Sequence, residues 1–216
     1  MTTVPPVHTV IVRVWLPDRP GALGQVASRI GAVRGDLLDI EILEVGGGRA
    51  IDELVVALPD EALVDLMVTE IHAIDGVSIE HVRPTTGDHT DGGLLALLLA
   101  AELAETAPAG RLTAVVESVG RLTESAWVMV VRDTEVVESA GEPPSADWVN
   151  SLLVGSRHLG HHATSGDLFS GDLPTSGLWL AAGRPDRPIH ERERVRLDLF
   201  ARIADSLLTG ANDGGV

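Results

Sequence analysis

The chain has 216 residues, enough for one large domain or two small ones, and its 44% hydrophobic and 22% charged residues suit a globular protein with true cores. Sixteen basic against 32 acidic residues leave a formal charge of −16, a field that repels phosphate backbones and anionic lipid. There is no cysteine, tyrosine or lysine, which excludes disulfides, thiolate nucleophiles, zinc–thiolate sites, Schiff-base chemistry and the lysine of a Walker phosphate loop.

Neither nucleic acid nor a membrane is therefore expected as a partner. The start, MTTVPPVHTV, lacks the basic and apolar regions of a signal peptide. The longest apolar run, LLALLLAA at 94–101, is too short to span a bilayer. A cytoplasmic location is expected.

In chain order, TVIVRVWL (9–16) alternates, with Val10, Val12, Val14 and Leu16 on one face and Ile11, Arg13 and Trp15 on the other, as a half-buried strand does. Leu23, Val26, Ala27, Ile30 and Val33 then recur at helical spacing, with Gly35 as the stop. DLLDIEILEV (36–45) alternates again, and GGGR (46–49) turns into a third strand carrying Leu54, Val56 and Leu58. Residues 60–74 form an amphipathic helix with Leu63, Met67, Ile71 and Ile74 on one stripe, and VSIEHVRP a fourth strand. This order is the split βαβ arrangement of a ferredoxin-like sheet. PTTGDHTDGG marks a boundary.

Beyond it come apolar helices at about 94–106 and 110–122 and a hairpin of AWVMVVRD with EVVESAG. A helix near 146–158, a loop-like stretch over 159–176 and a strand at 177–184 follow. A last helix over 190–208 carries Val195, Leu199, Ile203 and Leu207. The fold class is α/β (α+β), in two domains.

Asp18-Arg19-Pro20-Gly21 joins the first strand to the first helix. As a plain turn, Asp18 stands near the N-cap, Pro20 lies in the first turn, and Gly21 allows close packing of helix on strand. As a binding element, the free N–H groups at the helix start favour an anion, and Gly21 lets a ligand carboxylate approach the backbone. Both readings use the same physics.

With the strand–Asp18-Arg19-Pro20-Gly21-Ala22-Leu23–helix motif, and Gly35 leading into LLDIEIL, residues 8–84 resemble an ACT domain, the small ligand-binding regulatory module of amino-acid metabolism. The resemblance implies a ligand between this loop and the second strand of a paired domain, which adds Leu37, Leu38, Asp39 and Ile40 to the site. Where such domains often carry Asn, this chain has Asp18 and Leu37. A carboxylate accepts from an ammonium but cannot donate to a carboxylate, and the leucines favour an apolar ligand side chain. Residues 85–93 are then a linker. Residues 94–209 are similar to a degenerate GAF-like domain, through LPTSGLWLAAGRPDRPIHERERVRLDLFARIADSL. Without cysteine or lysine, that half has neither a bilin attachment nor a complete cyclic-nucleotide signature.

Gly46-Gly47-Gly48 reads as a hairpin, since no helix or lysine follows it. His158, His161 and His162, with Asp167 and Asp172 downstream, have the residue types of a divalent-metal site, but Gly160 interrupts any helix that would align them. A solvated loop is the expectation, with no metal and no cofactor. Ser165-Gly-Asp and Ser170-Gly-Asp lack a nucleophile elbow. Glu191, Arg192, Glu193, Arg194 and Arg196 read as a solvated helical face. Ile11 and Trp15 suggest that the second sheet face packs on another domain or subunit.

The sequence thus points to a non-catalytic, homo-oligomeric regulator that binds an amino acid or related carboxylate through paired ACT domains, with a protein partner receiving the output. The alternatives are a ligand-free dimerisation module and a metal-dependent hydrolase at the histidine cluster.

Overall fold

The computed structural model describes residues 8–85, 91–159 and 166–209, with backbone alone at 156–159. The chain divides into two compact units, Met1–Asp91 and Gly92–Val216. Each holds a four-stranded antiparallel sheet, and six α-helices lie among the described residues.

In the first unit, β1 (His8–Pro17) leads into α1 (Ala22–Ala32), β2 (Asp36–Gly46) and β3 (Arg49–Leu58), and then α2 (Val64–His72) and β4 (Ser78–Thr85). The sheet order is β2-β3-β1-β4, so β2 is an open edge. Period-2 alternation puts Val10, Val12, Val14 and Leu16 of β1 with Ala50, Leu54, Val56 and Leu58 of β3, under Val26 and Ile30 of α1 and Met67 and Ile71 of α2.

The stop of α1 differs in detail from expectation. Arg34 takes the left-handed conformation (φ 63°), and Gly35 donates its N–H to the Ile30 carbonyl while Arg34 donates to Gly31, a Schellman motif. Gly35 is needed for space, because a Cβ there would lie 2.8 Å from Ile30 Cγ2 and 3.1 Å from Leu58 Cδ2.

On the face of this sheet opposite the helices, Ile11, Leu43, Ile51 and Val55 are buried. A charged row crosses this face. Arg13, opposite Glu53 in register, donates to the Glu53 carboxylate from Nε (3.0 Å) and Nη2 (2.6 Å), and its Nη1 lies 3.8 Å from Glu80. Trp15 donates from Nε1 to Glu80 (3.0 Å), and the Arg49 guanidinium sits 5.5 Å from its ring centre. Trp15 is thus held by partners of its own.

Asp52 has no such provision. It lies between Ala50 and Leu54 on the helix-covered face, is 2% exposed, and its Oδ1 has no hydrogen-bond partner. Burial pushes its pKa above the ordinary carboxylate value. A raised folded-state pKa means that stability falls as pH rises from the unfolded value through the folded one, and stays low beyond it. Asp52→Asn is expected to stabilise the unit at neutral pH by about 1–2 kcal/mol, and the gain should vanish below about pH 4. Melting curves of both proteins across that range check this; a variant no more stable at pH 7 would refute it.

In the second unit, α3 (Gly92–Glu105) and α4 (Arg111–Thr123) precede the hairpin β5 (Trp127–Arg132) and β6 (Glu135–Gly141). Then come α5 (Ala146–Leu159), β7 (Leu168–Leu173), β8 (Leu178–Gly183) and α6 (Glu191–Thr209), with sheet order β6-β5-β8-β7. One sheet face packs Val128, Val130, Phe169, Leu173, Leu180 and Ala182 under α3, α4 and α6, with Leu99, Val115, Val119 and Phe200 at the centre. The other packs Trp127, Met129, Val131 and Ala181 against Val149 and Leu153 of α5.

Three readings of this half are corrected. The last helix buries Leu197, Phe200, Ala201 and Ala204 and leaves Val195, Leu199 and Ile203 of the expected stripe exposed. The loop expected over 159–176 contains β7, in which Phe169 and Leu173 face the core with Gly171 between them, a position where a Cβ would come within 3.2 Å of the Phe169 ring. The charged start of α6 is a solvated face only in part, with Glu191 and Arg192 exposed. Glu193 is buried, and Arg194 donates to the carbonyls of Ile189 (2.9 Å), Leu168 (2.8 Å) and Gly166 (3.2 Å). Further along α6, Asp205 clasps the β7–β8 turn by accepting from the Thr175 and Ser176 N–H groups and the Ser176 hydroxyl. Burial alone would raise its pKa, but these bonds outweigh it and hold the carboxyl below its ordinary value.

Candidate functional site

The loop after β1 is built by its own backbone. Asp18 donates its N–H to the Gly48 carbonyl (3.0 Å), which ties the loop to the β2–β3 turn, where Gly47 (φ 60°) and Gly48 (φ 74°) make the expected tight hairpin. Arg19 donates to Pro17 (2.8 Å), and Gly21 enters the helix with φ 85°. That angle explains the glycine. A Cβ at position 21 would meet nothing within 4 Å, so neither close packing nor crowding requires glycine here; the left-handed backbone does.

Because Gly21 is the N-cap, no side chain caps α1. Gln25 donates to the Gly21 carbonyl (3.1 Å) and Ala22 to Arg19 (3.2 Å), whereas the Leu23 and Gly24 N–H groups have no acceptor among the described residues. These donors, at the positive end of the α1 dipole, are the feature that can hold an anion.

An open groove of about 550 Å³ lies beside them, lined by Arg19, Gly21, Gln25, Ser28 and Arg29 and, from the turn after α2, by Asp75. Arg29 is shared with Glu70 (2.8 Å), while the Arg19 side chain makes no hydrogen bond or ion pair with a described residue. The groove therefore offers two free N–H groups, an unpaired guanidinium and a carboxylate at Asp75. Gln25, Ser28, Arg29 and Asp75 were not read as site residues from the sequence. The available signal was the polar spacing of Gly21, Gln25 and Ser28 along one face of α1.

The residues singled out from sequence do not all meet within one chain. Arg19 and Gly21 line the groove. Asp18 and Pro20 are exposed in the loop, Ala22 is buried in the core, and Leu23 packs against that core. Leu37, Leu38, Asp39 and Ile40 stand at the far end of the sheet. Leu37 lies in register with Val56 and Val10, and Ile40 with Leu54 and Val12, so about 13–20 Å of strand separates them from Leu16, where the loop begins. A bulge between Leu37 and Asp39 also splits them by face, since Asp39 pairs with Val55, on the side away from the helices. Leu38, Ile40 and Ile42 are exposed on this edge strand.

His161 and His162 lie outside the described residues, as does Ser165; His158 falls on α5, where only the backbone is described. Among the described residues no group of three or more histidine, aspartate or glutamate side chains is placed to hold a metal ion, and no helix is long and apolar enough to cross a membrane.

No protein-family model matches the chain. No curated protein matches it. Solved structures similar to it include an uncharacterized protein from Thermotoga maritima, 22% identical over 38% of this chain and all of that one, with a TM-score of 0.31. They also include the ACT domain of a GTP pyrophosphokinase from Chlorobium tepidum, 14% identical over 37% of this chain and all of that one, at 0.31. A protein of unknown function from Galdieria sulphuraria matches 82% of this chain and 81% of its own at 13% identity and a TM-score of 0.33. The solved structures similar to this chain thus include ACT domains, at low similarity and over little more than a third of its length.

Proposed function

We propose that this protein is a non-catalytic regulator that binds a small carboxylate, an amino acid or a close relative, at the start of α1. The observation that carries the reading is the uncapped helix start, with the Leu23 and Gly24 N–H groups and the Arg19 guanidinium beside an open groove. The ligand carboxylate takes the N–H groups and Arg19, and Asp18 or Asp75 receives an ammonium. The Leu37–Ile40 end of β2 cannot reach that groove in its own chain, so on this reading it belongs to the site of a second copy. The exposed edge of β2, with Leu38, Ile40 and Ile42 on it, supports that role. Binding that completes the site across two copies favours the paired arrangement and so provides a signal.

Titration calorimetry and thermal shift against the twenty amino acids and common 2-oxo acids test this. A ligand at a hundred times its Kd should add about 2.7 kcal/mol of stability. Arg19→Ala should abolish the gain without lowering the stability of the free protein, because that side chain has no described partner. Gly21→Val is unsuitable as a probe, since φ 85° strains any β-branched residue; Gly21→Asn tolerates the backbone while placing a side chain at the groove. Silence across the panel would return the stretch to a plain strand-to-helix turn.

A further inference from the structure

We propose that α3 and α6 form a self-complementary docking face on which a second copy of this chain packs, α3 of one copy against α6 of the other. Both helices are apolar on two sides. Toward the core α3 buries Leu99 and Leu103, and α6 buries Leu197, Phe200, Ala201 and Ala204. Outward, Leu94, Leu97 and Leu98 lie at i, i+3, i+4 on α3, and Val195, Leu199 and Ile203 at i, i+4, i+8 on α6, each between 42% and 68% exposed. A helix that is hydrophobic all round is normally a buried one. The two helices pack against each other, with Gly92 lying under the Arg196 guanidinium, so the stripes adjoin in one patch.

Size and charge identify the occupant. Six large aliphatic side chains at half exposure make a patch on the order of 500 Å², near the upper end of what a monomer leaves uncovered. Two such patches face to face reach the roughly 1,000 Å² that a specific interface needs. A chain of net charge −16 repels its own copies in general, so a face used for self-association needs local compensation. Here it has one. α3 contains no basic residue and exposes Glu105, while α6 exposes Arg202, and neither side chain has a described partner. Laying α3 on the partner's α6 brings acid to base twice about one two-fold axis, the signature of an isologous contact. This surface lies in the second unit and does not depend on the ligand reading.

The absence of cysteine makes the test direct. Full-length chains carrying Leu97→Cys are mixed with chains carrying Leu199→Cys, and the disulfide products formed under mild oxidation are identified by peptide mass. The mixed 97–199 product should exceed by at least tenfold the product formed between Leu97→Cys and a thiol at Val154, an equally exposed apolar position on α5. Adding Arg202→Glu to the position-199 chain should cut the mixed product several-fold, and adding Glu105→Arg to the position-97 chain should restore it. In light scattering, Leu97→Glu and Leu199→Glu should each lower the mass of the assembly without lowering the melting temperature at low concentration. Equal yields at 199 and 154, or failure of the charge swap to restore the product, would overturn the proposal.

Discussion

Arg184→Met is expected to destabilise the second unit by about 3–5 kcal/mol. Arg184 is 3% exposed and spends all five guanidinium donors. Nε donates to the Arg187 carbonyl (3.1 Å); Nη1 donates to the Thr123 carbonyl (2.8 Å) and Glu193 Oε1 (2.9 Å); Nη2 donates to the Pro188 carbonyl (2.5 Å) and Glu193 Oε2 (3.0 Å). Glu193 in turn accepts the His190 N–H (2.9 Å). One side chain therefore joins the end of β8, the end of α4 and the start of α6. Methionine fills much of the volume but leaves Glu193 charged and buried. Arg184→Lys should rescue little, because an ammonium cannot present the planar fork. Glu193→Gln should lose less, since it keeps an acceptor. Urea unfolding followed by tryptophan fluorescence reads this unit, because Trp127, Trp148 and Trp179 lie in it. A loss under about 1 kcal/mol would mean that the pair is dispensable.

That cluster also marks where the sequence stopped being informative. Gly183-Arg184, the Pro-rich turn and the acids at the start of α6 were visible as a pattern similar to GAF-like domains. Their role was not, because burial of Glu193 follows from packing between elements rather than from the alternation of charges in ERERVR. β7 was hidden for a related reason. Its inward positions read Phe169, Gly171, Leu173, and a glycine packed beside the Phe169 ring breaks the apolar period. On α6 two apolar stripes compete at helical spacing, and the chain buries Leu197, Phe200 and Ala204 rather than Val195, Leu199 and Ile203. The first unit was more legible, since its strands alternate strictly and its turns carry glycine.

The candidate site was legible only in its loop. Asp18 to Gly21 announced a strand-to-helix junction, but the groove beside it depends on Gln25, Ser28 and Asp75, which three-dimensional packing brings together. The β2 residues could be named from a family likeness, yet register places them at the other end of the sheet. Bulges at Leu37/Asp39 and Ile42/Glu44 shift which residues share a face, and nothing in DLLDIEILEV signals them.

The charged row across the first sheet gives the second large effect. Arg13→Met is expected to cost about 3–4 kcal/mol, because it removes the buried cation that Glu53 and Glu80 share, on a face where Glu41 stands opposite Glu53 in register. Arg13 itself is 2% exposed, so water cannot replace it without opening the face. Trp15, which donates to Glu80, is the sole tryptophan of the first unit and reports the change. The sign of the pH dependence separates this account from a simple loss of packing. In the variant the penalty is repulsion between carboxylates that have lost their shared cation, so it fades as they are neutralised at low pH and is full once they are charged. The deficit relative to the natural protein should therefore shrink as pH falls from 7 toward about 4, and Glu53→Gln in the same chain should recover part of it at pH 7. A deficit that is constant across this range, with no recovery on adding Glu53→Gln, would show that Arg13 acts through its aliphatic stem alone.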